Sequence, residues 1–267
     1  MLTKHKWAET DFEEVTCFRC GLNGNFLYRH GQFNIVECSK CNQVFVSPRL
    51  NENARAEMYQ SAEYFNRQIY GFSNKFNIAM LYQKIWTYGR LNLITKLMKE
   101  NIRGKQLLDI GSAYGLFLSH AQQRGFIITG IEISNAAVNW ARKNLNLNVR
   151  CGTIETVSIP KNFYDVVCFW DVIEHVENPL TFLRTVQDLT KDKGLIIFSC
   201  PYFDSIAPRL LKSRWNSRPE QHLWQFTTEK LKQLFEDANL KLLTIIKNPC
   251  NIVNLTRIDS IVAIGQK

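Results

Sequence analysis

Three groups of residues stand at spacings that suit chemistry. Cys17-x-x-Cys20 and Cys38-x-x-Cys41 form two close pairs separated by 17 residues. Asp109-Ile110-Gly111-Ser112-Ala113-Tyr114-Gly115-Leu116-Phe117 joins an acid, two glycines and two small residues, and Glu132 follows Asp109 by 23 residues. Of five histidines, His175 and His222 lie in sequence surroundings that suit proton transfer, whereas His5, His30 and His120 do not. Each Cys-x-x-Cys turn aims two thiolates at one tetrahedral ion. Small residues after a strand let a ligand lie against the backbone, and an acid can accept two hydrogen bonds side by side. An imidazole takes up a proton near neutral pH.

The cysteine spacing fits a two-knuckle zinc site, with Gly21 supplying the first turn and Asn42 following the second pair. Four unligated thiols or a disulfide pair are the competing readings. Four thiolates would close the coordination shell and leave no position for water, so the ion is expected to be structural. A segment this small has too little core to hold itself together without it. The remaining cysteines, Cys151, Cys168, Cys200 and Cys250, are dispersed, and all four are expected to be buried, reduced and without chemistry.

These residues need elements to position them. Residues 15–48 lean toward β-structure, with strands expected at Phe26–Tyr28 and Val44–Val46, and Ser47-Pro48-Arg49 ends the block. Residues 52–102 repeat apolar residues at helical spacing, most clearly from Ile78 to Met98. After Gly104 the pattern becomes strands alternating with helices. Strands are expected at 107–110, 127–133, 148–151, 164–170, 195–200, 240–246 and 258–264. Helices are expected over about 114–125, 135–146 (capped by Ser134), 179–190 and 227–238. Residues 201–226 read as a long irregular insertion, and such loops are usually functional. Near-continuous apolar strands alternating with helices predict an α/β fold: a Rossmann-like, seven-stranded, mostly parallel sheet with helices on both faces. To this is added a small N-terminal zinc-ribbon-like module. The expected divisions are 1–50 for that module, 51–103 for a helical connector and 104–267 for the α/β domain.

A dinucleotide loop would carry Gly-x-Gly-x-x-Gly. Here the glycines are spaced Gly-x-x-x-Gly, with an acid two residues before the first. The segment resembles motif I of the class I S-adenosylmethionine-dependent methyltransferases, Asp-x-Gly-x-Gly-x-Gly, with Ala113 at the middle glycine. Phe163–Pro179, containing Trp170-Asp171 and Ile173-Glu174-His175, resembles motif IV and the segment after it. An N-terminal zinc knuckle ending in an apolar-Ser-Pro-Arg step is similar to an arrangement in bacterial small-molecule methyltransferases, including sugar C- and O-methyltransferases. The resemblance covers about 105–200 well and the rest more loosely.

It implies that Asp109 orients the loop, that Gly111, Ser112, Ala113, Gly115 and Phe117 lie along the cofactor, and that Glu132 holds its ribose hydroxyls beside Ile133. Thr153 and Ile154 would lie around adenine, with Trp170 and Asp171 completing the cofactor site. His222, in Glu220-Gln221-His222-Leu223-Trp224-Gln225-Phe226, resembles the family's Glu-His element and is favoured slightly over His175 as base; a structural role for His175 and a surface position for His222 are the competing readings. Tyr59, Tyr64 and Tyr70 would belong to a lid, with Tyr64-Phe65 against the acceptor; ordinary core packing is the other reading.

The formal charge of +9, from 33 Lys and Arg against 24 Asp and Glu, suggests an anionic partner without naming one. Arg209, Lys212, Arg214 and Arg218 around Trp215 read either as a solvated loop or as a pocket for a phosphate- or carboxylate-bearing acceptor. The resemblance makes a small-molecule acceptor the first expectation: a sugar hydroxyl or carbon, or a related metabolite or lipid head group. A nucleic-acid or protein methyltransferase is the alternative, although Trp170-Asp171-Val172 lacks the Pro-Pro-aromatic step of base-amine enzymes and Ser199-Cys200-Pro201 reverses a Pro-Cys nucleophile. A binding protein with a decayed site and a nicotinamide enzyme rank lower. The start lacks a secretory apolar run, and no stretch approaches the ~18 apolar residues of a membrane span, so a cytoplasmic protein is expected. Oligomeric state does not follow from the sequence.

Overall fold

A computed structural model describes residues 7–60, 78–99, 101–211, 218–247 and 260–267. Tyr64, Phe65, Tyr70, Lys212, Arg214, Trp215, Cys250 and His5, singled out above, lie outside these residues. The chain forms two compact units: Met1–Glu57 with Asp171–Arg184 and Phe198–Gly265, and Met58–Trp170 with Thr185–Ile197 and Gln266–Lys267.

In the first unit, β1 (Phe12–Glu13), β2 (Gly24–His30), β3 (Phe33–Cys38), β4 (Val44–Val46) and β5 (Arg49–Leu50) precede a helix at Glu52–Gln60. β2 pairs antiparallel with β3, and β3 with β4. The strand at Phe33–Cys38 was not expected, because Val36 interrupts its apolar alternation; both Ile35 and Val36 are buried. Phe33, Ile35, Val44, Val46, Leu50 and Ala54 form a small core with Trp7, Phe12, Tyr28 and Phe203 packed on it.

In the second unit the helix Ile78–Met98 precedes β6 (Gln106–Ile110), a helix at Leu116–Gln123, β7 (Ile127–Glu132) and a helix at Asn135–Leu145. Ser134 caps the last of these: its hydroxyl accepts the Ala137 N–H at 3.4 Å, as the sequence indicated. Next in the chain come β8 (Val149–Cys151), β9 (Tyr164–Trp170), a helix at Pro179–Leu189 and β10 (Thr190–Pro201), the last two with residues in both units. β10 begins five residues before the expected strand, because Lys191-Asp192-Lys193 carries no apolar signal. There the Lys191 ammonium donates to Asp165 at 2.9 Å.

The region 201–226 is not wholly irregular. It contains a helix at Ile206–Leu211 and β11 (Trp224–Gln225), which pairs antiparallel with β4 and completes the four-stranded sheet β11-β4-β3-β2. A helix at Thr228–Asp237, β12 (Lys241–Lys247) and β13 (Ser260–Gln266) close the chain. The main sheet has seven strands in the order β12-β13-β10-β9-β6-β7-β8.

β6 is the pivot of that order. It pairs parallel with β7 on one side and with β9 on the other, so Asp109 stands level with Gly130 and Cys168. The strand order reverses at β6, and open α/β sheets bind ligands in the crevice beyond such a reversal, at the carboxyl ends of the strands. The Asp109–Phe117 segment begins at that end. Among the described residues no helix is long and apolar enough to cross a membrane.

Candidate functional site

Asp109 is buried near the end of β6, and Glu132 is buried at the end of the adjacent β7. The loop between β6 and the next helix is pinned to β7: the N–H groups of Gly111 and Ser112 donate to the Ile131 carbonyl at 2.8 and 3.1 Å. Glu132 then grips both flanks of the site. Its Oε2 accepts the Ala113 N–H at 2.9 Å, and its Oε1 accepts the Ser134 N–H at 2.8 Å. Each carboxylate oxygen can accept about two hydrogen bonds, so both retain capacity for a ligand's paired hydroxyls. Burial pushes Glu132 up from its ordinary value, opposed by the amides of Ser134, Ala113 and Ile133.

The loop leaves room where a ligand would lie. Ala113 holds φ of 48°, the left-handed conformation that glycine adopts more easily. The buried Ser112 hydroxyl has no hydrogen-bond partner among the described residues. An orphan hydroxyl, two small side chains and spare acceptors on Glu132 fit a polar group laid along this turn.

Gly115 meets two demands at once. It caps the helix Leu116–Gln123 at φ 75°, and a Cβ there would lie 2.5 Å from Leu147 Cδ1. Gly115→Ala should therefore lose about 2–4 kcal/mol of stability, combining left-handed strain with overpacking. Gly104 has a similar φ of 78° but open space around its Cα. In chemical denaturation, Gly104→Ala should cost about 1 kcal/mol, the strain alone; equal losses at both positions would refute the packing role.

Asp109 is pushed up to about 7 by burial, which outweighs the lowering by Arg90 and by a bond from the Cys168 thiol at 3.6 Å. Arg90 was not singled out from the sequence. It comes from the helix Ile78–Met98, and its guanidinium lies 4.3 Å from the centre of the Trp170 ring and 5.2 Å from that of Trp86. Phe117 meets Trp170 edge-on at 5.6 Å. An arginine in a mixed amphipathic helix gives no sequence signal of such a partner.

Beyond β8, Ile154 is buried, and the Thr153 N–H donates to the Thr156 hydroxyl at 2.9 Å. Ile133 is partly exposed, and its carbonyl accepts the Gln60 amide at 3.2 Å. Cys168 and Cys200 are buried, but Cys151 is exposed, contrary to expectation: it ends β8, the edge strand of the sheet.

In the other unit, the four cysteine sulfurs of Cys17, Cys20, Cys38 and Cys41 all lie within 4.8 Å of one another. The two knuckles share one backbone pattern. The Gly21 N–H returns to the Cys17 carbonyl at 2.8 Å, and the Asn42 N–H to the Cys38 carbonyl at 3.0 Å. Gly21 and Asn42 occupy the same left-handed position, which glycine and asparagine tolerate best. Four convergent sulfurs in two such turns fit a tetrahedral ion.

His175 and His222 also come together in this unit. Their rings meet edge-on with centroids 4.9 Å apart, and the Glu174 carboxylate, fully buried, reaches within 3.8 Å of His175 Nε2. His222 is buried rather than a surface residue. Burial holds His175 down at about 4, against the charge of Asp171 and a bond that its ring donates to the Gln221 backbone, so the ring is neutral at neutral pH. Asp171 itself accepts the Ser199 hydroxyl at 3.0 Å.

Long-range backbone bonds create this meeting. The amides of Leu223 and Trp224 donate to the Glu174 carbonyl, and the Trp224 indole N–H donates to the Val176 carbonyl at 2.9 Å. Val46 N–H donates to the Leu223 carbonyl at 3.0 Å. Arg49 and Arg55, both buried, each bond the Glu177 carboxylate and also face Glu13. Glu220, two residues before His222, is raised from its ordinary value mainly by burial.

A sequence profile of a methyltransferase domain matches residues 83–245, which include β6 to β9 and the loop after β10. The chain belongs to that methyltransferase domain family. The chain is similar to the ubiquinone biosynthesis O-methyltransferase of Coxiella burnetii, 28% identical over 103 residues, 37% of this chain and 44% of that protein. It is also similar to the mitochondrial ubiquinone biosynthesis O-methyltransferase of Schizosaccharomyces pombe, 32% identical over 120 residues, 41% of this chain and 43% of that one. The chain thus spans less than half the length of these relatives. Its fold resembles the magnesium protoporphyrin IX methyltransferase of Synechocystis PCC 6803 solved with bound SAH, with a TM-score of 0.61 at 16% identity, over 81% of this chain and 100% of that one.

Proposed function

We propose that this protein transfers the methyl group of S-adenosylmethionine to a small-molecule acceptor, at an oxygen or carbon of a sugar or related metabolite. The observation that carries the reading is Glu132, which ends β7 with both carboxylate oxygens fixed by loop amides and acceptor capacity to spare. In this reading Glu132 takes the ribose hydroxyls, and the backbone from Gly111 to Gly115, with Ser112 and Ala113, cradles the methionine part. Asp109 orients the loop, Phe117, Trp170 and Asp171 border the cofactor, and Ile133, Thr153 and Ile154 lie toward adenine. The cofactor supplies a sulfonium-bound methyl group for in-line displacement. The protein's task is to align the acceptor, exclude water and remove its proton.

His222, with His175 beside it, is assigned that proton. The neutral state of His175 and the burial of both rings support the assignment. The names of the relatives, both O-methyltransferases, favour an oxygen acceptor. Arg218 and Arg209 are assigned to an anionic group on the acceptor. Cys17, Cys20, Cys38 and Cys41 are assigned to a structural zinc. Residues 1–50 would form the zinc module, 51–103 a connector and lid, and 104–267 the catalytic domain of a cytoplasmic enzyme.

Calorimetry with S-adenosylmethionine and S-adenosylhomocysteine tests the central claim. Both are expected to bind, with NAD giving no heat. Absence of affinity for either sinks the reading. Labelled-methyl transfer to a panel of phenols, catechols and sugar nucleotides then identifies the acceptor class.

A further inference from the structure

We propose that Glu174, His175 and His222 form a divalent transition-metal site, distinct from the four-cysteine cluster. One ligand atom from each of the three residues lies within 4.8 Å of the other two. The Glu174 carboxylate is fully buried, and the two imidazole rings stand edge-on at 82°, so their nitrogens can converge on one point instead of stacking away from it. Glu174 and His175 are sequence neighbours, while His222 arrives from a segment tied to them by the Leu223 and Trp224 amides on the Glu174 carbonyl. The donor atoms are thus held by backbone bonds from both segments, the support that a metal site requires.

The donor set selects the ion. Two imidazoles and one carboxylate suit zinc, ferrous iron, manganese or cobalt, whereas calcium and magnesium prefer oxygen alone. Three protein donors leave coordination positions open, which is the pattern of a site that binds a further oxygen ligand. A hydroxyl placed there would lose its proton to solvent more easily, its oxygen lone pair remaining on the cation. With the ion bound the two histidines act as ligands; the direct proton transfer proposed above belongs to the metal-free site.

Manganese separates this site from the cysteines, because it disfavours four thiolates. Electron paramagnetic resonance during titration with Mn2+ of protein carrying a single zinc per chain, which the four thiolates retain, should show uptake of one ion per chain. Glu174→Gln and His222→Gln should each weaken that uptake at least ~10-fold, while calorimetry with S-adenosylmethionine reports whether the variant is folded. No uptake by the wild type, or equal uptake by wild type and both variants, overturns the proposal. Cobalt substitution of the wild type needs no variant. A nitrogen- and oxygen-ligated cobalt spectrum beside the thiolate-to-cobalt band supports the site, and the thiolate band alone overturns it. Failure of S-adenosylmethionine binding would count against the methyltransferase reading and not against this one.

Discussion

Glu132→Ala should weaken S-adenosylmethionine binding by at least ~100-fold, since each hydrogen bond to a charged group contributes about 1.5–3 kcal/mol and two are lost. The substitution acts twice. It removes the acceptor for two ribose hydroxyls, and it strips the Ala113 and Ser134 amides of the carboxylate that fixes them. The loop would loosen where Ala113 already holds a left-handed conformation. Glu132→Gln should fall between the two, because its amide can still accept one bond while presenting a donor on the other side. Calorimetry reads the affinity, and thermal unfolding without ligand reads the scaffold. A loss below tenfold with an intact scaffold would remove the ribose role from Glu132.

The second large effect is expected at the cysteines. Stripping zinc, or replacing Cys38 with serine, should collapse protection from hydrogen exchange across Gly24–Val46. Structural zinc contributes apparent binding energies on the order of 10 kcal/mol that are also folding energy. The module has little to replace it: its core is built from Phe33, Ile35, Val44, Val46, Leu50 and Ala54, with a few partly buried rings around them. Cys38 is fully buried at the end of β3, so the proposed ion site, the strand and that core share one segment. Residues Gln106–Glu132 should keep their protection. Unchanged exchange in Gly24–Val46 after verified loss of zinc would show that the metal is not structural.

How much of this was legible in the sequence depended on the range of the interaction. The cofactor loop and Glu132 were readable because a strand, a turn and an acid follow one another within a short span. The knuckles were equally local, each written in five residues. His175 and His222 were singled out separately. Their contact was not readable, because it depends on bonds linking residues 46, 174, 176 and 221–224. Arg90 was missed for the same reason: its partners Trp170 and Asp109 lie on strands far along the chain. Strand β11 has only two residues and exists because β4 offers an edge. Cys151 was misjudged because an apolar neighbourhood does not reveal that its strand lies at the rim of the sheet.

The pairing of β4 with β11 has a consequence during synthesis. Val44, Phe45 and Val46 emerge from the ribosome early, yet the strand that covers their edge ends at Gln225. Until Trp224 and Gln225 follow, the nascent chain carries an apolar strand with an uncovered edge, the kind of surface that recruits neighbouring chains. A stalled or truncated product ending before Trp224 would keep that edge permanently. Expression yield should therefore depend on how quickly the stretch between Val46 and Gln225 is delivered.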